Sequence, residues 1–312
     1  MSQPIEIVQL LAYDGPNIFG PSPGVLLRAR CDADRSGRLR AALRDGALAA
    51  GLVIAGLNVE ARPLGDGHLL SATFATETPT VGAALAEYVV AGIAAEAAGD
   101  EAWDPEGPLN ELQGRLRVEA VPLAALQLVA EARARGLPTF ALPGGRLQLG
   151  HGARGWSFDP APLRGRGAAP PTPPWERLGA VPIVAVTGAT GRAATVRRFG
   201  AELAAAGAPA RALDGAGFDE ARALLADPGT EALVLGLDTG DILRRGLPFD
   251  RCELAVITDM GGARPPEAAD DDEWLRALGV PMLLAPQPAR LNLGDPALLP
   301  LVPYAPNGVV GL

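Results

Sequence analysis

The sequence predicts an α+β N-terminal domain followed by an α/β domain with a doubly wound, mostly parallel sheet. Three observations carry this expectation. Between residues 182 and 285, apolar runs of strand length alternate with helix-length segments, the pattern of a parallel sheet covered by helices. Gly188 and Gly191 join one such apolar run directly to a helix. The stretch from Gly165 to Trp175 is dense in proline and glycine, which deny both helix and ladder hydrogen bonding. The expected organisation is therefore a domain over 1–164, a linker over 165–177 and a second domain over 178–312.

In the first block, Ile5 to Leu11 reads as a strand, Asp14-Gly15-Pro16-Asn17 as a turn, and Val25 to Ala29 as a second strand. Arg35 to Gly51 places Leu39, Leu43 and Leu48 at helical spacing. Leu69 to Thr76 is strand-like. Val81 to Ala98 and Pro122 to Ala134 are alanine-rich helices, the latter stopped by Gly136-Leu137-Pro138. Leu147 to Leu149 is a short strand. The second block reads as strand Pro182–Thr187, helices Ala193–Ala206 and Asp219–Ala226, strands Ala232–Leu237 and Leu254–Thr258, helix Asp272–Leu278 and strand Met282–Ala285. Ligands of such sheets sit beyond the carboxyl ends of the strands, which selects the loops 188–192, 237–241 and 259–264 as the site edge.

Composition narrows the chemistry. The 312 residues include 27 basic ones, all arginine, so no Schiff-base lysine, Tyr-x-x-x-Lys reductase pair or phosphate-gripping lysine exists. Two histidines, His68 and His151, are too few for a histidine-rich metal site, and Cys31 and Cys252 lie too far apart for a zinc ribbon. A net charge of −9 argues against general nucleic-acid binding. The apolar stretch Gly46–Leu57 is too short for a membrane span, and the N-terminus lacks the basic region of a signal peptide. A cytoplasmic protein with reduced thiols is expected.

The run Val181–Thr195 is a strand, then Gly188-x-Thr190-Gly191, then a helix holding Thr195. Backbone N–H groups of such a turn cradle phosphate. A triphosphate loop needs lysine and then a hydroxyl after the last glycine, and here Arg192 and Ala193 follow. A ligand-free strand-to-helix turn and a dinucleotide loop of the short-chain reductase kind, with Ala194 at its third glycine, are the competing readings.

Several segments together resemble cyanophycin synthetase, a family of ATP-dependent amide ligases that build an aspartate–arginine polymer and end in a Mur ligase-like domain. They are Tyr13–Asp32, Glu131–Gly155, Val181–Gly207, the run Ile242-Leu243-Arg244-Arg245-Gly246-Leu247-Pro248-Phe249-Asp250-Arg251-Cys252, and Leu291–Pro296. The resemblance implies a P-loop, Mur ligase-like second domain. It also exposes departures. The proline-rich stretch stands where the family has its ATP-grasp domain, and a further Mur domain would follow Leu312. The family's Gly-Lys-Thr falls on Gly191-Arg192-Ala193, its acidic metal position on Gly236, and its Asp-His pair on Ala263 and Arg264. A zinc-type site of some members would fall near Ala83–Tyr88, which offers only Glu87. Stabilising phosphate charge dominates phosphoryl chemistry, so losing these groups together implies a pseudoenzyme without catalytic residues, metal or cofactor.

Other polar positions are read as structural. Asp238, Asp241 and Asp259 are solvated loop acids, Asp270–Glu273 caps a helix, His151 is exposed or hydrogen-bonded, and Cys252 is packed. Arg244, Arg245, Asn292 and Asp295 are the candidate partner or ligand contacts. The function expected is a structural or regulatory subunit of an amide-ligase system, as a homo-oligomer or with a catalytic cyanophycin synthetase-like ligase, engaging neither nucleic acid nor membrane. The alternatives are a residual nucleotide-binding amino-acid ligase or a dinucleotide-binding reductase.

Overall fold

The computed structural model describes residues 4–165 and 167–312, which divide by contacts into two units. The first comprises residues up to Gly15 and Phe19–Ala120; the second comprises Pro16–Ile18 and Val121–Leu312.

The first unit is an antiparallel sheet with helices on one face. Its elements are β1 (Ile5–Tyr13), β2 (Gly24–Cys31), α1 (Ser36–Ala50), β3 (Ala55–Leu64), β4 (Gly67–Ala75), α2 (Pro79–Ala98) and α3 (Glu106–Glu119), with strand order β1-β2-β4-β3. Leu27 and Ala29 of β2 and Leu70, Ala72 and Phe74 of β4 pack against Leu39 and Leu43 of α1 and Leu85, Val89 and Ile93 of α2. Alternation along the strands sends these side chains to one face. Burying each of the larger ones contributes about 1.5–3 kcal/mol. Helix α2 is long and apolar enough to cross a membrane by length and composition, a feature the scan for uninterrupted apolar runs passes over, and here its apolar residues supply the core.

The second unit opens with α4 (Leu123–Ala134) against a three-stranded antiparallel sheet of β5 (Thr139–Ala141), β6 (Leu147–Leu149) and β7 (Trp156–Phe158). Leu128, Val129, Leu149, Phe158 and Leu178 form their common core. The domain boundary therefore falls at Ala120/Val121 rather than at residues 165–177. The Pro/Gly-rich stretch runs into the second unit's own packing: Leu178 is buried in that core, and the Gly179 carbonyl accepts from the His151 N–H at 2.9 Å. Arg166, inside the expected linker, lies outside the described residues.

The rest is β8 (Ile183–Thr187), α5 (Arg192–Ala205), β9 (Ala210–Ala216), α6 (Phe218–Ala226), β10 (Ala232–Leu237), α7 (Thr239–Arg245), β11 (Leu254–Ile257), α8 (Asp271–Gly279), β12 (Ala289–Leu291) and β13 (Val309–Gly311). The six strands form one sheet in the order β13-β12-β11-β8-β10-β9, every pairing parallel. Val184, Val186, Val234 and Val256 face Val196 and Phe199 of α5, while Ile183, Ala185, Leu235 and Ile257 face the residues of α6, α7 and α8. Helices thus cover both faces, and the central strands read as continuous apolar runs for that reason. The strand expected at Met282–Ala285 is instead a 3₁₀ turn over Val280–Leu283, begun at Pro281, and the strand follows at Ala289–Leu291.

Candidate functional site

The chain leaves β8 toward β10 and β9, and leaves β11 toward β12 and β13. The crevice of this sheet therefore opens between the carboxyl ends of β8 and β11. The glycine loop after β8 and residues 258–261 after β11 meet there. Asp259 fills the loop. Its Oδ1 accepts from the N–H groups of Ala189 at 3.1 Å, Thr190 at 3.1 Å and Gly261 at 3.0 Å. Its Oδ2 accepts from the Gly191 N–H at 3.0 Å and the Thr258 hydroxyl at 2.8 Å. Partial burial pushes the Asp259 carboxyl up, but these bonds outweigh it and hold the group well below the usual carboxylate range. The N-terminus of α5 adds its dipole to the same side. The backbone cradle that would hold a phosphate is occupied by the protein's own anion.

Local geometry explains the glycines without a ligand. Gly188 has a φ of 124°, and a Cβ there would lie 2.0 Å from the Thr258 Oγ1, so the close approach of β11 demands a residue with no side chain. At Gly236 a Cβ would lie 2.2 Å from Oδ1 of Asp214 on the neighbouring strand β9. Asp214 in turn takes the Nε of Arg192 at 2.6 Å, while the Arg192 Nη1 donates to the carbonyls of Leu237 at 3.1 Å and Gly188 at 3.3 Å. Arg192 therefore ties together the carboxyl ends of β8, β9 and β10, and its charge is matched by Asp214 rather than offered to a phosphate.

The remaining predicted positions divide between this edge and other places. Thr195 is buried in the first turn of α5, its N–H bonded to the Gly191 carbonyl at 3.1 Å. Asn292 and Asp295 belong to the edge: the Asn292 N–H donates to the Ile257 carbonyl at 3.1 Å, and Asp295 Oδ2 accepts from the Met260 N–H at 3.0 Å, which braces the loop carrying Asp259. Arg244 lies outside it, paired with Asp241 and Glu267. Arg245 pairs with Asp219 at 2.8 Å and lies over the Phe218 ring. Asp238 caps α7 by accepting from the Asp241 N–H, and Asp270 caps α8 by accepting from the Glu273 N–H. Among the described residues, no three His, Cys, Asp or Glu side chains gather to hold a metal ion.

Two readings are corrected. Asp259 is not a solvated loop acid, because strand β11 delivers it onto the glycine loop. His151 is neither exposed nor hydrogen-bonded: it is fully buried, Nδ1 and Nε2 both lack a partner, and the Phe140 ring lies 5.8 Å away. Burial, with a smaller contribution from Arg251, lowers its pKa to about 3 and keeps the imidazole neutral. Cys252 is packed as expected, its thiol pushed up to about 12, chiefly by burial.

Sequence reasoning missed Asp214 and Thr258, and misjudged Asp259. The residue immediately after an apolar strand was the signal for Asp259, but its importance depends on β11 being the neighbour of β8. The edge as built can bind an anion only by displacing Asp259, and it presents no unpaired lysine or hydroxyl-metal group to a triphosphate. Among curated proteins, none matches the sequence. Residues 4–312 match the model of a family described as Domain of unknown function (DUF4938), and the chain, covered over nearly its whole length, belongs to that family.

Proposed function

We propose that this protein is a catalytically inactive, cyanophycin synthetase-like pseudoenzyme whose second unit is a degenerate Mur ligase-like domain, acting as a structural or regulatory subunit of an amide-ligase system. The observation that carries the reading is the Asp259 carboxylate on the N–H groups of Ala189, Thr190 and Gly191. A triphosphate would meet a fixed negative charge where a ligase needs its donors free, and electrostatic stabilisation of the phosphates is the largest contribution such a site makes. Arg192 does not offset this, because Asp214 holds it.

A chain without this chemistry acts through its surfaces. The parallel sheet ends in strands β9 and β13, whose outer edges pair with no other described strand, and Val310 on β13 is 54 % exposed. Such edges favour association with another chain, a second copy or a catalytic ligase. The protein works in the cytoplasm without a cofactor.

Titration calorimetry with magnesium-ATP, and separately with dinucleotides, tests the inactive loop. The expected result is no binding tighter than about 1 mM, a free energy of about −4 kcal/mol. A micromolar magnesium-ATP site would overturn the reading in favour of a residual ligase. Recovery of the protein from its native host, followed by size-exclusion chromatography of the purified assembly, tests the subunit role. A monomer that recovers no ligase would refute it.

A further inference from the structure

The first unit holds a cleft of about 510 Å³ between the start of β1 and the carboxyl-terminal half of α2, within the size range of small-molecule sites. A smaller recess of about 250 Å³ adjoins it, sharing Glu87, Ala91 and Trp103. The floor is apolar and shallow because α2 presents Ala91, Ala94 and Ala98 to it. Its charged lining is acidic throughout: Glu6, Glu87 and Asp100, with no basic side chain in the larger cleft.

These carboxylates differ from those on the sheet edge of the second unit in being uncommitted. Glu6 and Glu87 are exposed and make no hydrogen bond or ion pair among the described residues. Arg30, opposite Glu6 across the β1–β2 register, does not pair with it, and Arg115 in the recess is taken by Glu111 at 2.7 Å. Asp100 uses Oδ1 to accept from the Ala102 N–H at 3.0 Å and keeps Oδ2 free. Glu87 and Ala98 are eleven residues apart on one helix, about 16 Å at 1.5 Å per residue, and Asp100 lies just beyond. The trough is therefore long and narrow, with negative charge at both ends and on one wall, small apolar residues along its length, and the Trp103 indole at its side. That separation is too great for one metal ion. It matches a linear molecule whose cationic centres are spaced by methylenes, since ammonium groups pair with carboxylates and aromatic faces while alkyl segments lie on apolar surface.

We infer that this cleft binds a linear aliphatic polyamine, with ammonium groups held by Glu6, Glu87 and Asp100 and the chain lying along Ala91, Ala94 and Ala98. The site is remote in sequence from the glycine loop and independent of whether that loop takes nucleotide.

Calorimetry of the full-length protein with spermine, spermidine and putrescine tests this, together with quenching of Trp103 fluorescence. Saturable binding in the order spermine, spermidine, putrescine is expected, with Glu87→Gln weakening spermine about tenfold and Glu6→Gln adding to the loss. Trp103→Phe should remove the fluorescence response while binding persists, which locates the ligand independently of the carboxylate variants. Binding unchanged in the Glu6→Gln, Glu87→Gln double variant would mean counterion attraction to an acidic protein, and would overturn the proposal. So would a basic peptide that binds more tightly than spermine, or no heat with any of the three amines at millimolar concentration.

Discussion

Asp259 and His151 lie in the same unit and are treated in opposite ways. Five donors converge on Asp259, so it stays ionised although partly removed from water. His151 is more deeply buried and nothing converges on it, so it stays neutral. The difference follows from where each loop sits. Residues at the carboxyl ends of parallel strands look onto helix N-termini and turns whose N–H groups lack partners, and a carboxylate delivered there is satisfied at once. His151 sits between the small antiparallel sheet and the long loop that follows, where the backbone groups are already used: its own N–H goes to the Gly179 carbonyl and its carbonyl receives the Arg154 N–H. A buried ionisable group thus marks a functional place only when its partners are counted, and here the well-partnered one closes a site while the orphan marks a liability.

The largest effect is expected from breaking the partnered side. Asp259→Ala leaves four backbone N–H groups and the Thr258 hydroxyl without their acceptor. Water reaches part of this crevice, so the cost should be about 3 kcal/mol rather than the sum of five charge-assisted bonds. Urea denaturation of the variant measures it. The same variant frees the cradle, so inorganic phosphate should raise the melting temperature of Asp259→Ala and leave that of the parent unchanged. A stability loss under about 1 kcal/mol would show that the loop holds its shape without the carboxylate.

The orphan side should fail with acid. The His151 pKa falls from 6.5 unfolded to about 3 folded, so the unfolded chain binds the proton first. Its contribution is intact above pH 6.5 and is lost as pH falls toward 3, at about 1.4 kcal/mol per pH unit, or about 2 kcal/mol by pH 5. His151→Leu should remove that slope and leave the variant more stable than the parent at pH 5. Denaturation midpoints of the two proteins at pH 7.5 and pH 5 provide the check, and parallel slopes would show that His151 gains a partner on protonation.

How much of this was legible follows from the same accounting. Strands β8, β10 and β11 were readable because strands buried on both faces are written as uninterrupted apolar runs, and α5 because a glycine turn precedes it. Strand β9 escaped because it is an edge carrying Arg211 and Asp214. Helix α7 escaped because it has only seven residues, and α3 because it buries little beyond Leu112. The run at 282–285 misled because burial alone does not separate a strand from a packed turn, and Pro281 starts the turn. The proline-rich stretch misled because proline denies regular structure without denying tertiary packing, and Leu178 at its end is core. Gly188 and Gly191 were readable as a turn. That Asp259 fills it was not, because the strand order that places β11 beside β8 is a property of the assembled sheet.

The smallest effect is expected from rebuilding the loop by itself. Arg192→Lys with Ala193→Thr restores the residue types of a triphosphate loop, yet the lysine inherits Asp214 as its nearest carboxylate and Asp259 still holds the N–H groups of residues 189–191. The compact ammonium also gives up the fork by which Arg192 reaches the Leu237 and Gly188 carbonyls, so a modest stability loss of about 1 kcal/mol should accompany the change. Gly236 stays closed to an acidic side chain because Asp214 occupies the space its Cβ would need. Groups that act as a unit in catalysis are not restored one at a time. The double variant should therefore show no ATP turnover in a phosphate-release assay and no magnesium-ATP binding by calorimetry. Turnover in this variant would mean that Asp259 leaves the loop readily when a lysine competes for the phosphate, and that two substitutions alone had silenced the ancestral site.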